Sequence, residues 1–212
     1  MSKISKNNFE EIPLFSTLIY AGSLLNYVDL VKQVAEDPIY HPKKTETNVD
    51  MMSTSFFQDK RIADFSTDLL KTSWDILKSQ GHLMENYLTI YESMWLQTYQ
   101  KHAHMHHHSH ANGVQIVGFY FLEVPDQSSR LILHDPRIAK TQIQLDEADT
   151  TKVTNAAIVA VYHPKAGDLI LTPAWLAHSI TPNQSDELIK FVHINIQTQR
   201  INNHSCNMPT II

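Results

Sequence analysis

The chain has 212 residues, of which 42% are hydrophobic and 18% charged, and this balance is typical of a globular protein with one substantial core. No apolar run approaches the ~20 residues of a membrane helix, and a net charge of -5 gives no general attraction to nucleic acid, so neither partner is expected. The single cysteine, Cys206, cannot form an internal disulfide, and the first residues lack the apolar core of a secretory signal, which predicts a cytoplasmic location.

Two helices are predicted in the first part of the chain, after an extended segment at residues 9–20. Residues 23–36 place apolar side chains near helical spacing, with Ser23 as the capping residue. Residues 60–80 keep a similar period, and Gly81 ends the pattern. We expect these helices to buttress another element.

Short β-type runs begin at Tyr87 and are separated by Pro, Gly, Asn and Asp. There are six of them: LTIYESMWLQTY, GVQIVGFYFLEV, RLILHD, AAIVAVYH, GDLILTP and ELIKFVHINIQ. They predict a mainly β fold with flanking helices (α+β), in which the strands form an antiparallel sandwich or barrel. We expect one domain over 1–212, made of a helical and extended buttress at 1–86, a β core at 87–200 and a tail at 201–212.

A histidine tract, HAHMHHHSH, occupies residues 102–110. Five of its six histidines share one parity, so in a strand they would share one face. Neutral imidazole binds divalent transition metals well, and an H-x-H pair aims two ligands at one point. A third ligand is available in His178, which follows a turn, a strand and a second short turn. The alternative is a surface loop that binds metal weakly, although that would leave His178 unexplained.

The other histidines have simpler interpretations. A mononuclear site needs about three protein ligands, so His102, His104, His106 and His107 are expected to be surplus and to line the entrance. His193 lies in the last predicted strand, where it either points into the barrel near the metal or is a core histidine, and the core role is favoured.

Five segments occur in an order typical of one enzyme family. They are a strand beginning at Trp95, His108–Asn112, Val117–Leu122, Asp135–Arg137, and Gly167–His178 followed by Pro182–Asn183. In these segments the chain resembles the 2-oxoglutarate/Fe(II) oxygenases common in marine phages and bacteria, which are similar in plan to prolyl hydroxylases. If the chain is phage-encoded, the expected location is the host cytoplasm.

The resemblance implies a double-stranded β-helix core (jelly-roll or cupin-like) that uses Fe(II), 2-oxoglutarate as cosubstrate and O2 to hydroxylate a substrate. His108, His110 and His178 match the metal positions, with His106 and His108 as the fallback pair. In the family, a basic residue binds the far carboxylate of 2-oxoglutarate. Lys190 occupies that position in this sequence only if the spacing is shifted by one residue.

Two further side chains are candidates for binding 2-oxoglutarate. Arg137 could provide a bidentate guanidinium or simply pair with Asp135, and Tyr120 could donate its hydroxyl or belong to the core. His110 stands where wider relatives have Asp or Glu.

Alternatives to this function remain open from the sequence. One is a three-histidine cupin-type enzyme that does not use 2-oxoglutarate, and another is a non-catalytic β-barrel protein that binds a metal. The substrate is expected to be a small molecule or a protein or peptide, without further identification. The apolar residues Met208–Ile212 could dock on a second copy, so a homodimer is also considered.

Overall fold

A computed structural model describes residues 12–41, 50–143 and 145–201. Two α-helices are present, α1 (Val28–Ala35) and α2 (Ala63–Ser79). Short 3-10 turns occur at Leu25–Tyr27, Pro38–Tyr40, Lys60–Ile62, Met84–Asn86 and Ile138–Gln142. The strands are β1 (Tyr20–Ser23), β2 (Asp50–Met52), β3 (Tyr87–Tyr99), β4 (Met105–His108), β5 (Val114–Glu123), β6 (Leu131–His134), β7 (Val159–Tyr162), β8 (Asp168–Pro173), β9 (His178–Ile180) and β10 (Ile189–Arg200).

The strands form two antiparallel sheets. The larger sheet has six strands in the order β1-β8-β5-β10-β3-β2, and the smaller has four in the order β4-β9-β6-β7. From β3 to β10 consecutive strands thus alternate between the sheets, except that β6 and β7 pair with each other in the smaller sheet. This is the mainly β, jelly-roll arrangement that the sequence predicts. The predicted class, mainly β with flanking helices, is confirmed.

The central strand β10 separates two hydrophobic cores. Its residues Val192, Ile194 and Ile196 pack with the helices, whereas Phe191 packs in the second core, whose members include residues of both sheets. This alternation follows from the two-residue period of a strand, which sends successive side chains to opposite faces. Any side chain of β10 can therefore be assigned to the helix side or to the space between the sheets by its parity.

Both helices pack against the same face of the larger sheet, and this face is its helix side. The period of α2 places Phe65, Leu69 and Ile76 on one buried face, and Gly81, with φ of 95°, follows its end as predicted. The first helix begins later than predicted, because Ser23 ends β1 instead of capping the helix, and the N-cap of α1 is Tyr27, which makes no side-chain cap. None of the helices in the described segments is long and apolar enough to cross a membrane.

The segment before residue 87 contributes more than a buttress. Strand β1 pairs with β8 and strand β2 pairs with β3, so both edges of the larger sheet come from the first 52 residues. All six predicted β runs contain a strand, and the structure adds the short strands β4 and β9 between them. The predicted docking segment Met208–Ile212 and Cys206 lie outside the described residues.

Candidate metal centre

Three histidines predicted as metal ligands come together where β4 pairs with β9. His108 and His178 are cross-strand partners, and their ring centroids lie 4.5 Å apart. His110 follows the end of β4, and its backbone N–H donates to the carbonyl of Ala174, in the segment that leads to β9, at 2.9 Å. Its ring centroid is 5.2 Å from each of the other two rings. The structure therefore brings together the pair His108 and His110 with His178.

His193 joins this group from the opposite sheet. It lies on β10, and its ring centroid is 5.1 Å from that of His110 and 6.3 Å from that of His178. Each of His108, His110, His178 and His193 offers one ring nitrogen, and these four atoms all lie within 4.8 Å of one another. Sequence reasoning favoured a core role for His193, and the strand parity it used could not show how close the two sheets approach.

Hydrogen bonds determine which ring nitrogens remain free to bind a metal. Nδ1 of His108 lies 2.8 Å from the carbonyl oxygen of His106, and Nδ1 of His178 lies 3.0 Å from that of Leu176. A protonated Nδ1 that donates to a carbonyl leaves Nε2 with a lone pair, which is the usual arrangement of a metal-binding histidine. These contacts with backbone carbonyls thus already orient two of the rings.

Three histidines of the group carry a buried ring nitrogen without a hydrogen-bond partner. Among the described residues, Nε2 of His110, Nε2 of His178 and Nδ1 of His193 are buried and make no hydrogen bond. A buried polar atom without a partner is unfavourable unless something else satisfies it, and a divalent metal ion would do so. The donor set, made only of imidazoles, fits Fe, Zn, Cu or Ni.

Burial also keeps three of these imidazoles neutral. Burial, together with the neighbouring His108 and His110, lowers the pKa of His178 to about 3, against the hydrogen bond to Leu176. Burial likewise lowers the pKa of His110, and it lowers the pKa of His193 well below the ordinary range. Because only the neutral ring has a lone pair for a metal, His110, His178 and His193 are in the ligand form at neutral pH.

Aromatic side chains enclose the histidines on the side of the larger sheet. The ring of Phe119 lies edge-on to His178 and His193, with centroids 5.1 and 4.9 Å away. Trp95 stacks on His193 at 4.4 Å with an angle of 10° between the planes. Phe191 packs behind Phe119 at 6.3 Å. The floor of the site is therefore apolar.

One polar network approaches the site from β3 and β10, and sequence reasoning did not find it. The amide of Asn195 donates to Glu92 Oε2 at 3.1 Å and to Ser93 Oγ at 3.2 Å. Burial and His108 lower the pKa of His110, while Asn195 and the carboxylate of Glu92 oppose that shift. The charge of Glu92 thus raises the pKa of His110, although Glu92 is not a member of the metal-binding group.

Comparison with known families identifies the segment that holds three of the histidines. Residues 93–190 match the family described as "Putative 2OG-Fe(II) oxygenase". This segment is a 2OG-Fe(II) oxygenase family domain. It contains His108, His110 and His178, and it ends before His193. The sequence matches no curated protein.

Solved structures share the fold of this oxygenase domain at low sequence identity. A prolyl-4-hydroxylase from Pseudomonas putida is 13% identical with a TM-score of 0.55, covering 86% of this chain and 93% of that chain. A prolyl hydroxylase from Trichoplax adhaerens, in complex with a hypoxia inducible factor peptide fragment, is 13% identical with a TM-score of 0.54, covering 84% and 83%. HygX from Streptomyces hygroscopicus, with nickel and 2-oxoglutarate bound, is 8% identical with a TM-score of 0.55, covering 85% and 83%.

Two residues predicted to bind 2-oxoglutarate do not face the histidines of the oxygenase domain. Lys190 is on the helix side of β10, where its Nζ donates to Glu36 Oε1 at 2.6 Å and pairs with Glu123 Oε2 at 2.9 Å. Tyr120 is also on the helix side, where its hydroxyl donates to the carbonyl of Leu24 at 2.7 Å. The sequence resemblance found the strands that carry these residues. Both side chains lie on the helix side of their strands, away from the metal group.

Arg137 is the third predicted residue, and it lies at the surface beside the end of β6. Its guanidinium makes a bidentate contact with Asp135, through Nε at 2.9 Å and an Nη at 2.8 Å. Its side chain is 59% exposed. Of the two roles considered for it, pairing with Asp135 is present in the structure. A role in binding 2-oxoglutarate remains a prediction.

The surplus histidines take positions outside the metal group. Only the middle of the tract is a strand, because β4 spans Met105–His108, and its pairing with β9 shifts register before His108. The common parity of the tract therefore does not give a common face. His102, with φ of 70°, precedes the strand, whereas His107 packs against the ring of His134 at 4.4 Å.

A cavity of about 700 Å³ lies next to the histidines. Its walls include Leu133, the cross-strand partner of His178, and Leu176, whose carbonyl contacts His178 Nδ1. The remaining wall is mostly apolar and comes from the segments 12–19 and 153–160, with Arg137 as its cation. The protein thus has room for a ligand of moderate size, and a single residue, Leu133 or Leu176, separates this cavity from His178.

Proposed function

We propose that the protein is an Fe(II)- and 2-oxoglutarate-dependent oxygenase that hydroxylates a small-molecule or peptide substrate, with iron held by His108, His110 and His178. One observation carries the proposal: free, buried ring nitrogens converge inside a domain of the 2OG-Fe(II) oxygenase family. When bound, iron together with 2-oxoglutarate and O2 supplies the oxidising chemistry, and the protein supplies placement.

The residues of the chain have two tasks in this reaction. Hydrogen bonds from Nδ1 hold the rings of His108 and His178 in place, which orients Nε2 before a metal arrives. The aromatic floor, with Phe119 at its centre, excludes water from one side of the site. Both tasks require a preformed site, and the pairing of β4 with β9 provides it.

The cavity beside Leu133 and Leu176 is the proposed substrate site. Its mostly apolar wall, with the ion pair of Arg137 and Asp135 at one side, favours a substrate with an apolar part and a strongly polar group. A peptide is one such substrate, and the structural neighbour from Trichoplax adhaerens is in complex with a peptide fragment. Free amino acids and lipid-derived acids satisfy the same chemistry.

Formation of succinate from 2-oxoglutarate tests this function. The Fe(II)-loaded protein is expected to form succinate in an O2-dependent reaction even without its substrate, and His178→Ala is expected to form none. His106→Ala is the matched control, because that side chain is exposed and lies outside the metal group, so it should retain the activity. Iron binding without any succinate, in the presence of candidate substrates, would contradict the proposal.

A second candidate is a cupin-type metal enzyme that does not use 2-oxoglutarate. It is favoured by the positions of the predicted 2-oxoglutarate ligands, since Lys190 and Tyr120 face the helices and Arg137 is paired with Asp135. On the histidine side of β10, the residues before His193 are Ile189 and Phe191, neither of which carries a charge. Metal-dependent turnover without 2-oxoglutarate would favour this candidate.

A further inference from the structure

We propose that His193 is a fourth nitrogen ligand, so that the metal is held by His108, His110, His178 and His193. The inference goes beyond the proposed function, which needs only three ligands, and it depends on the metal site alone. His193 lies after the segment that matches the oxygenase family, so the family match does not assign it a role.

The first argument is the state of its ring nitrogen. His193 is only 2% exposed, and its buried Nδ1 makes no hydrogen bond in the described part of the chain. A histidine that serves only as a core residue normally has its ring nitrogens satisfied by protein groups or water. The rings that contact it are the imidazole of His110, the indole of Trp95 and the phenyl ring of Phe119.

The second argument is that the ring is held in a ligand orientation. Trp95 stacks almost parallel to it at 4.4 Å, and Phe119 meets it edge-on at 4.9 Å. The indole of Trp95 is itself fixed, because its Nε1 donates to Gln97 Oε1 at 3.0 Å. Packing on these sides restricts rotation of the imidazole, while its ligand nitrogen stays within 4.8 Å of the other three.

A fourth ligand changes what the site can accept. An octahedral metal has six positions, and four imidazoles leave two of them open. Bidentate 2-oxoglutarate fills both, so the simultaneous presence of 2-oxoglutarate and O2 would require one imidazole to leave. A tetrahedral metal such as zinc would be closed by the four histidines and would serve as a structural link.

Counting the bound imidazoles tests the inference directly. In the Co(II)-loaded full-length protein, each bound imidazole gives one paramagnetically shifted ring N–H resonance in the proton NMR spectrum. We expect four such resonances from the wild type and three from His193→Phe, a change that keeps a ring to stack on Trp95 and removes the nitrogen. We also expect the affinity of His193→Phe for Co(II), measured by chelator competition, to fall by more than about 10-fold.

The control variant is His107→Ala, which removes an exposed imidazole outside the metal group and should keep four resonances. Three resonances from the wild type, or the same number and affinity in folded His193→Phe, would overturn the inference. If His193→Phe does not fold, as judged by circular dichroism, the wild-type count still decides. Because the count needs no 2-oxoglutarate, its result is independent of the succinate assay that tests the proposed function.

Discussion

The state of each imidazole is set by its immediate neighbours. His108 and His178 direct Nδ1 to backbone carbonyls two residues earlier, a contact that any H-x-H or x-x-H segment can make locally. This is why local sequence was sufficient to select them as candidate ligands. His193 was different, because its partners Trp95, Phe119 and His110 come from three other parts of the chain.

Acid is expected to destabilise the metal-free protein through these histidines. Burial lowers the pKa of His178 from 6.5 to about 3, so between these values the unfolded chain binds a proton that the folded chain does not. The contribution of this histidine to the free energy of unfolding is therefore fully present above about pH 6.5. It is lost as the pH falls toward 3, by about 1.4 kcal/mol per pH unit for each such histidine.

Urea unfolding of the metal-free protein at pH 7.5, 6 and 5 measures this loss. The two carboxylates with the most strongly lowered pKa, Asp59 and Asp135, do not interfere, because their contribution is lost only below about pH 4. His178→Gln should show a weaker dependence on pH. A free energy of unfolding that stays constant between pH 7.5 and 5 would be inconsistent with buried, neutral imidazoles.

Replacing Lys190 is expected to affect stability and not 2-oxoglutarate. Its ammonium bridges Glu36, at the end of α1, and Glu123 of β5, and its side chain is only 18% exposed. We expect Lys190→Ala to lower the free energy of unfolding by roughly 1 to 2 kcal/mol. The control is Lys71→Ala on α2. A higher requirement for 2-oxoglutarate at unchanged stability would instead restore the role that the sequence suggested for Lys190.

The long strands were predictable, whereas the short strands β4 and β9 were not. Strands such as β5 and β10 carry ten or more residues of alternating or continuous apolar character, which is a strong local signal. Strands β4 and β9 have four and three residues, too few to show a period, although both carry metal-site histidines. Their existence follows from pairing with each other, and a single sequence does not display such pairing.

The face of a strand was also harder to predict than its position. Lys190 was considered as the 2-oxoglutarate ligand only with a slip of one residue, and one residue is the difference between the two faces of a strand. The structure shows a register irregularity between Lys190 and Phe191 where β10 pairs with β5. Phe191 thus faces the second core, and Lys190 reaches the glutamates on the helix side.

Close packing of β5 against its neighbouring strands β8 and β10 depends on a glycine in β5. A Cβ atom added at Gly118 would lie 3.0 Å from Leu171 Cδ2 and 3.2 Å from Ile194 Cβ. We expect Gly118→Ala to lower the free energy of unfolding by about 1 to 3 kcal/mol, measured by urea unfolding, because the neighbours must move. Gly22→Ala is the control, since no atom lies within 4 Å of its added Cβ. Equal effects of the two changes would contradict the packing described for β5.

At the scale of the whole molecule, the candidate metal centre links the two sheets. His108 and His178 belong to the smaller sheet and His193 to the larger one. The sequence predicted a β core with flanking helices, and the two-sheet fold agrees with it. The contribution of residues 20–23 and 50–52 to the sheet edges could not be predicted, because it depends on pairing with β8 and β3, which are distant in sequence.

Metal binding is therefore expected to raise the melting temperature. A ligand at 100 times its dissociation constant adds about 2.7 kcal/mol, which corresponds to an increase of roughly 5 to 10 °C for a protein of this size. Differential scanning fluorimetry with and without Fe(II) under anaerobic conditions measures the shift. The shift should be lost in His178→Ala and kept in His106→Ala. A shift of equal size in all three proteins would indicate metal binding elsewhere, for example at the exposed histidines of the tract.

The most direct test is an anaerobic titration of the Fe(II)-loaded protein with 2-oxoglutarate, followed by visible absorption. Bidentate chelation of iron by 2-oxoglutarate produces a weak charge-transfer band in the visible range. We predict that the band appears, saturates with one equivalent of 2-oxoglutarate and is absent in His178→Ala. Bound iron without any band in the wild type would contradict the assignment of 2-oxoglutarate as cosubstrate and would leave a histidine-rich metal site with a different function.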